Sequence, residues 1–242
     1  MKSKSFNPQE FGLKEGYLYE VLATTFRGYN EGEVVKPNTA CIGIRLTDRN
    51  DIKIRLYPNS QTLKNVKRND LITINFVNNI YLYALAALKD NEDPKSIIKF
   101  SNQYYNSLEI DIPADEESEP IRLFMPYVNK AWSALFCKVI EENEITEEDK
   151  FGKAKVSEFL LEVIHFNKIK ENFKLFNRAE NLALEAIILA TRLPIAKENN
   201  KKELYIDIKN RIEEYLEKIE SFGQNKKAFN AIRVIKNYLK TQ

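Results

Sequence analysis

Residues 39–68 read TACIGIRLTDRNDIKIRLYPNSQTLKNVKR, and the fold is indicated most clearly by this segment. It contains two runs that are typical of strands, Thr39–Leu46 and Ile52–Tyr57, and apolar and polar residues alternate strictly in the second. The polar turn Arg49–Asp51 predicts that the two strands form a hairpin. A proline then ends the second strand, and Ser60–Arg68 is predicted to be a short helix. We therefore expect an antiparallel hairpin followed at once by a helix.

Further strands are predicted on both sides of this hairpin. One precedes it and four follow it, in the runs Tyr17–Thr25, Leu71–Val77, Ile121–Met125, Ala131–Ile140 and Val156–Ile169. Several short strands separated by turns favour a closed or half-closed barrel. Between them, Ile80–Leu88 is predicted to be a buried helix, the stretch from Pro94 to Ser107 is interpreted as helical, and Asp111–Pro120 is expected to be a solvated acidic loop.

The pattern changes near residue 172, where the period becomes helical. Apolar residues recur at three- and four-residue spacing in Ala179–Leu193, Tyr205–Phe222 and Ala228–Leu239, and Pro194 and Gly223 end the first two stripes. The sequence therefore predicts an α+β protein with a mostly antiparallel barrel over residues 1–172 and a three-helix region over residues 173–242.

Composition excludes several classes of function. The formal net charge is only +2, which does not favour nucleic acid or an anionic membrane as a partner. With 7 glycines there is no dinucleotide fingerprint and no P-loop, and the single histidine, His165, argues against a histidine-based zinc site. The first twenty residues contain no apolar run, and Cys41 and Cys137 are isolated, so we expect a cytoplasmic protein without a membrane span.

Three segments are candidates for a binding site. In the first segment a strand ends at Tyr57 and a helix starts at Ser60. The first helical turn could hold a phosphate, because hydroxyls lie at Ser60 and Thr62 and a cation at Lys64. An ordinary N-cap explains the same residues. Thr24 and Thr25, at the end of a predicted strand, form the second candidate segment. An ordinary strand end explains these two residues as well. The small residues entering the strand at 37–43 would let a flat ligand approach the backbone, or simply allow tight packing.

These segments, in this order, resemble the FMN-binding split-barrel superfamily of flavin reductases and pyridoxamine-phosphate oxidase-like proteins. The whole chain more closely resembles an archaeal group, domain-of-unknown-function family 447. The matching pieces are YEVLATT (Tyr19–Thr25), PNTACIGIR (Pro37–Arg45), NSQTLKNV (Asn59–Val66) and NRAENLALEAIILATRL (Asn177–Leu193). Together they cover most of the chain.

The resemblance implies a homodimer with FMN at the subunit interface. It places the phosphate among the polar residues of the helix start and the flavin ring along the strand entry, beside the two threonines. The family usually has Ala-Pro where this chain has Ala40-Cys41, and cysteine restores a backbone N–H that proline lacks. The candidate cofactor residues are Thr24, Thr25, Asn38, Thr39, Ala40, Cys41, Ile42, Tyr57, Ser60, Thr62 and Asn65. Asn177 and Arg178, at the junction with the helices, could reach the flavin or the partner chain, but a structural helix start with a surface arginine explains them equally well.

The expected function is that of a flavin-dependent oxidoreductase or flavin reductase-like protein, in which FMN carries the redox chemistry and a nicotinamide-type donor approaches the open face of the ring. No acid–base pair stands out, and a lone histidine in a strand is more often structural. A non-catalytic flavin carrier or sensor that acts through the helical region is the alternative. A module that has lost its flavin is a third interpretation.

Overall fold

The computed structural model describes residues 6–30, 33–90, 96–112, 121–149, 152–170, 178–221 and 225–242. The strands are β1 (Leu18–Asn30), β2 (Glu33–Leu46), β3 (Ile52–Leu56), β4 (Leu71–Phe76), β5 (Tyr105–Ile112), β6 (Ile121–Val128), β7 (Ser133–Asp149) and β8 (Gly152–Lys168). The α-helices are α1 (Gln61–Asn69), α2 (Ile80–Leu88), α3 (Arg178–Ala190), α4 (Leu193–Glu198), α5 (Lys202–Ser221) and α6 (Lys226–Leu239). Short 3-10 helices lie at Pro8–Phe11 and Asn102–Tyr104.

Six strands form a closed barrel in the order β1-β2-β3-β8-β7-β4. Alternate residues on each strand point inward, and the interior is filled by branched and aromatic side chains. Each buried side chain of this size contributes about 1.5–3 kcal/mol through removal of apolar surface from water. Those that are at most 1% exposed are Ile44, Ile52, Ile54, Ile72, Ile74, Leu135, Phe159 and Leu161.

The remaining two strands, β5 and β6, pair with each other as an antiparallel hairpin. Ile110, Leu123 and Met125 of this hairpin pack with Phe26 and Phe136 in a second apolar cluster. Barrel residues of this cluster lie on the face opposite the interior, so the hairpin covers the outside of β1, β4 and β7. This second cover explains why every residue of β4 is buried.

The chain divides into two compact units. The first contains the barrel, the β5–β6 hairpin and α1, and spans residues 1–77, 102–148 and 153–172. The second spans residues 78–101, 149–152 and 173–242, so α2 groups with the C-terminal helices. In this unit α3 packs against α5, and α2 packs against α6 and α3. No helix within the described ranges is long and apolar enough to cross a membrane.

The predicted α+β class and antiparallel barrel are confirmed, but the three-helix region is wrong. The described residues after 177 form four helices, α3 to α6. Together with α2, the described part of the second unit contains five helices. The error lies at Pro194, which was expected to stop a helix. It instead occupies the first turn of α4, where a missing N–H costs no intrahelical hydrogen bond.

The helical interpretation of the stretch from Pro94 to Ser107 is also wrong where the structure describes it. Only Asn102–Tyr104 forms a single 3-10 turn, and β5 begins at Tyr105. Pairing with β6 supplies the hydrogen bonds of this strand, and that partner is not visible in local sequence. Asp111 and Ile112 of the predicted acidic loop belong to β5, and residues 113–120 lie outside the described residues.

Candidate functional site

The three candidate segments of the sequence meet on neighbouring elements of the barrel unit. In the β1–β2 register Thr24 lies opposite Thr39, and Thr25 lies opposite Asn38. All four side chains are buried, with exposures of 0–7%. Because successive residues of a strand point to opposite faces, the two pairs serve two separate polar networks.

The first network fastens α1 to the strands. Asn38 Nδ2 donates to Thr62 Oγ1 over 3.3 Å, and Asn65 Nδ2 donates to Thr25 Oγ1 over 3.1 Å. Gln61 Nε2 in turn donates to Asn65 Oδ1 over 2.7 Å. Thr62 and Asn65 are only 4% and 2% exposed, so their side chains point into the protein and hold the helix in place.

The first turn of α1 is set by Ser60, which is the N-cap residue. Ser60 Oγ accepts from the amide of Leu63 over 3.2 Å and donates to the carbonyl of Tyr57 over 3.0 Å. The amides of Gln61 and Thr62 have no protein acceptor within the described part of the chain. A helix start with such donors and the positive end of the helix dipole is suited to an anion.

The second network runs across the outer wall of the barrel to the β5–β6 hairpin. Asn75 Nδ2 donates to Thr24 Oγ1 over 3.0 Å, and the hydroxyls of Thr24 and Thr39 are 2.9 Å apart. Thr39 Oγ1 donates to the hydroxyl of Tyr105 over 2.9 Å. Asn75 Oδ1 accepts from the amide of Val128, the strand partner of Tyr105, over 2.7 Å. The network therefore links five strands of two sheets, β1, β2 and β4 of the barrel and both strands of the hairpin.

Asn75 and Tyr105 were not identified from the sequence. An asparagine in the otherwise apolar run LITINF, residues 71–76, is a signal that could have pointed to Asn75, because a buried amide needs hydrogen-bond partners. Tyr105 carried no such signal, since it lay in a stretch without clear periodicity.

Two buried polar atoms next to this network have no hydrogen-bond partner within the described residues. They are Thr73 Oγ1 and Asn129 Oδ1. Thr73 lies opposite Thr24 in the β1–β4 register, and Asn129 directly follows Val128. Buried polar groups are nearly always paired with a protein group or with ordered water, so a water molecule or another polar group would satisfy these two atoms.

The other predicted residues of β2 differ in orientation. Ile42 points into the barrel interior and is 8% exposed, so only its backbone could face a ligand. Cys41 lies two residues from Thr39 on the same face, and both Ala40 and Cys41 are half-buried. The β1 strand pairs along the whole of this segment, whereas the register with β3 covers Ile44–Leu46.

Tyr57 is not among the residues of the two networks described above. Tyr57 is 41% exposed, and its hydroxyl donates to Glu147 Oε2 over 3.0 Å. Arg178 is the first residue of α3 and belongs to the second unit. Asn177 lies outside the described residues.

Burial sets the protonation of the titratable groups in the barrel unit. It raises the pKa of Tyr105 to about 12, although the hydrogen bond from Thr39 opposes this shift, so the phenol is protonated at neutral pH. Burial also raises the pKa of the Cys137 thiol and lowers the pKa of His165. The imidazole is neutral at pH 7 and packs 5.8 Å from the ring of Phe136, which suits a structural role.

A surface pocket of about 600 Å³ lies elsewhere on the barrel unit, between the N-terminal segment and the β2–β3 turn. Its lining includes Phe6, Lys14, Glu15, Thr47 and Asp48. None of the predicted site residues borders it. The candidate site is therefore at the polar networks, which contain predicted site residues, and not at this pocket.

The chain is therefore an α+β protein built on a six-stranded antiparallel barrel, with a buried polar network in the barrel wall. Residues 19–168 match the family described as protein of unknown function (DUF447), N-terminal domain. An uncharacterized protein of Methanocaldococcus jannaschii is 30% identical over 198 residues, which are 79% of this chain and 85% of that protein. The chain belongs to the DUF447 family, which confirms the resemblance found in the sequence.

A solved structure of a family member shares the fold. An FMN-bound DUF447 protein from Methanosarcina mazei superposes with a TM-score of 0.68 at 20% identity, over 96% of this chain and 100% of that chain. The flavin reductase HpaC, in its complex with NADP+, reaches a TM-score of 0.44 at 14% identity over 69% of this chain and 88% of its own. At that distance it supports no inference.

Proposed function

We propose that this protein binds FMN on the barrel unit and uses it in a flavin reductase-like oxidoreductase reaction. Membership of DUF447 and the description of the Methanosarcina mazei member as FMN-bound support the cofactor. The observation that carries the proposal is that Thr24, Thr39 and the start of α1, which lie far apart in the sequence, meet on adjoining elements of one barrel.

The donors at the helix start fit a phosphate. The amides of Gln61 and Thr62 would hold its oxygens, and Lys64 adds a positive charge one turn further along. Ser60 would act as the helix cap, because its one hydroxyl proton is donated to the carbonyl of Tyr57. Thr62, Asn65, Thr25 and Asn38 would act indirectly, because their buried hydrogen bonds fix the position of the helix. This assigns the phosphate to the backbone of α1 rather than to the side chains of Thr62 and Asn65.

The strand segment Asn38–Ile42 fits a flat ring. Alternate residues of an antiparallel strand direct their N–H and C=O groups to opposite edges, so part of this segment faces away from β1. Small side chains at Ala40 and Cys41 allow a ring to approach the backbone. Here the amide of Cys41 adds a donor that the proline usual in the family would lack.

Bound FMN would supply the transfer of electrons from a donor such as a nicotinamide. The protein would bind the phosphate, orient the ring against β2 and exclude water with the β5–β6 hairpin. Thr24, Thr39 and Asn75 of the second network are fully buried and hydrogen-bonded. They would keep the barrel strands beside the flavin ring rigid.

A homodimer with the flavin at the subunit interface is part of the proposal. Tyr17 and Leu18 are adjacent residues of the barrel unit with exposures of 58% and 56%, and this apolar surface is available to a protein partner. Light scattering on the purified, flavin-loaded protein should give twice the chain mass. A monomer that binds FMN normally would contradict the shared site.

A carrier or sensor without turnover is the second candidate, and the five helices of a separate compact unit favour it. Absorbance in the flavin bands, with release of FMN on denaturation, tests the cofactor for both candidates. Anaerobic addition of NADH or NADPH then separates them. Bleaching of the flavin is expected for the oxidoreductase, and a flavin that neither donor bleaches would favour the carrier.

A further inference from the structure

Four cationic residues lie on one side of α1 and on the two strands beside it. Lys64 and Arg68 are one helical turn apart on the exposed surface of the helix. Arg68 Nη1 donates to the carbonyl of Arg27 on β1 over 3.1 Å. Lys36 of β2 lies opposite Arg27, because the register of the two strands pairs the residues on either side of them. We call these four residues the basic cluster.

The positive charge of the basic cluster is not balanced by carboxylates of the described residues. All four side chains are exposed, and none of them forms an ion pair within the described part of the chain. Lys67, on the other side of the same helix, does pair with Glu142. Like charges repel when they are one helical turn apart or opposite each other on paired strands. An anion bound from outside the protein would relieve this repulsion.

The basic cluster is continuous with the proposed phosphate site. The amides of Gln61 and Thr62, which we assign to the FMN phosphate, lie at the start of α1, and Lys64 follows within one turn. Arg68 is about 10 Å further along the helix axis than Gln61, at 1.5 Å per residue. The cluster therefore extends well beyond the space that one phosphate occupies. This suits a ligand whose anionic part continues past a first phosphate.

We infer that the basic cluster binds the diphosphate group of an adenine dinucleotide, an inference that rests on the proposed FMN site. Arg27 and Arg68 suit this role, because a guanidinium binds phosphate oxygens through two parallel hydrogen bonds. Two kinds of molecule carry the group. FAD would bring it as part of the flavin, in place of FMN, whereas a nicotinamide dinucleotide would bring it to the FMN-loaded protein as the electron donor. In both cases the cluster holds the anion and takes no part in electron transfer.

Binding titrations of the whole chain test the cluster and separate the two sources. FMN and FAD are titrated into the apo protein, and ADP-ribose, which has the diphosphate but no nicotinamide, is titrated into the FMN-loaded protein. Arg27→Gln and Arg68→Gln should each weaken the binding of FAD or of ADP-ribose about fivefold, the upper range for one exposed ion pair, and leave FMN affinity at the wild-type value. A loss for FAD identifies a flavin dinucleotide, and a loss for ADP-ribose identifies a nicotinamide dinucleotide.

Lys67→Gln is the matched control, since it removes a charge from the same helix but outside the basic cluster, and it should leave every affinity unchanged. Three results would overturn the inference while FMN binding stands. They are a wild type that binds neither FAD nor ADP-ribose, unchanged affinity for both probes in both arginine variants, and a loss of FMN affinity as large as that of the probes. A wild-type protein that takes up neither flavin would instead overturn the proposed function, and the inference with it.

Discussion

The hydroxyl oxygens of Thr24 and Thr39 lie 2.9 Å apart on neighbouring strands, and neither side chain is exposed to solvent. A pair of this kind in a barrel wall costs desolvation unless both groups are fully hydrogen-bonded. Here Asn75 on one side and Tyr105 on the other complete the pair. The wall is therefore polar and rigid at the place where β1, β2, β4 and the hairpin meet.

Asn75 should be the member whose loss destabilises the barrel unit most. Asn75→Ala removes the acceptor of the Val128 amide and the donor to Thr24, both of which remain buried. We expect the free energy of unfolding to fall by about 2–4 kcal/mol, because unsatisfied buried groups cost roughly 1–3 kcal/mol each.

Urea unfolding of the apo protein measures this loss. Asn106→Ala is the control, since Asn106 is exposed on β5, and its effect should stay within about 0.5 kcal/mol. A loss of that small size in Asn75→Ala would contradict the view that the network holds the hairpin on the barrel.

The two cysteines should differ in reactivity. Cys137 is fully buried and burial raises the pKa of its thiol, so it should resist alkylation in the native protein. Cys41 is half-buried on the face of β2 that carries Thr39, so iodoacetamide should modify it first.

Saturating FMN should slow the modification of Cys41, because the ring would cover this face. Peptide mass spectrometry at timed intervals, with and without FMN, measures both effects. Cys41→Ser should show almost no labelling of the native chain. Labelling of Cys41 at the same rate with bound FMN would place the ring elsewhere.

Stability at alkaline pH should depend on Tyr105. Its pKa is raised from about 10 to about 12 by burial, so the folded state keeps the phenol proton in a range where the unfolded chain releases it. The contribution is complete below pH 10 and is lost as the pH rises from 10 to 12. Tyr238, whose pKa burial also raises to about 12, contributes in the same direction.

Urea unfolding at pH 9 and pH 11 checks this dependence. The free energy of unfolding of the wild-type protein should fall more between the two pH values than that of Tyr105→Phe. The variant lacks the titration of Tyr105 but keeps that of Tyr238. Equal losses in the two proteins would show that Tyr105 titrates with the same pKa in the folded and unfolded chain.

Local pattern was enough for the elements that depend on local sequence. The alternation in Ile52–Leu56 and the apolar run of Ile80–Leu88 gave a strand and a helix that are confirmed. The helix at Ser60 is also confirmed, with Ser60 as its cap. Each of these elements has its hydrogen bonds or its buried face determined by residues close in sequence.

Features that depend on distant partners were missed. Strand β5 exists because β6 pairs with it, and the second polar network joins Asn75 to Tyr105 through two threonines from other strands. The resemblance located Thr24, Thr25 and Asn38, but only the structure separates the inward pair from the outward one. In the structure the side chains of Thr62 and Asn65 are buried. The residue pattern suggested a phosphate contact for Thr62, and the family resemblance suggested one for both.

The proposed phosphate site is tested most directly by comparing FMN with riboflavin, which lacks the phosphate. Ser60→Asp retains a side-chain oxygen that can cap α1 but places a negative charge where the phosphate would bind. Asn79→Asp makes the same change at the cap of α2 and serves as the matched control.

Binding is measured by fluorescence titration of each flavin, and urea unfolding monitors the apo proteins. Wild type and Asn79→Asp should bind FMN about 100-fold more tightly than riboflavin, since charge-assisted hydrogen bonds contribute roughly 1.5–3 kcal/mol each. Ser60→Asp should lose this preference while its stability stays within about 1 kcal/mol of wild type. Equal affinity of the wild type for FMN and riboflavin, or an undiminished preference in Ser60→Asp, would contradict a phosphate site at the start of α1.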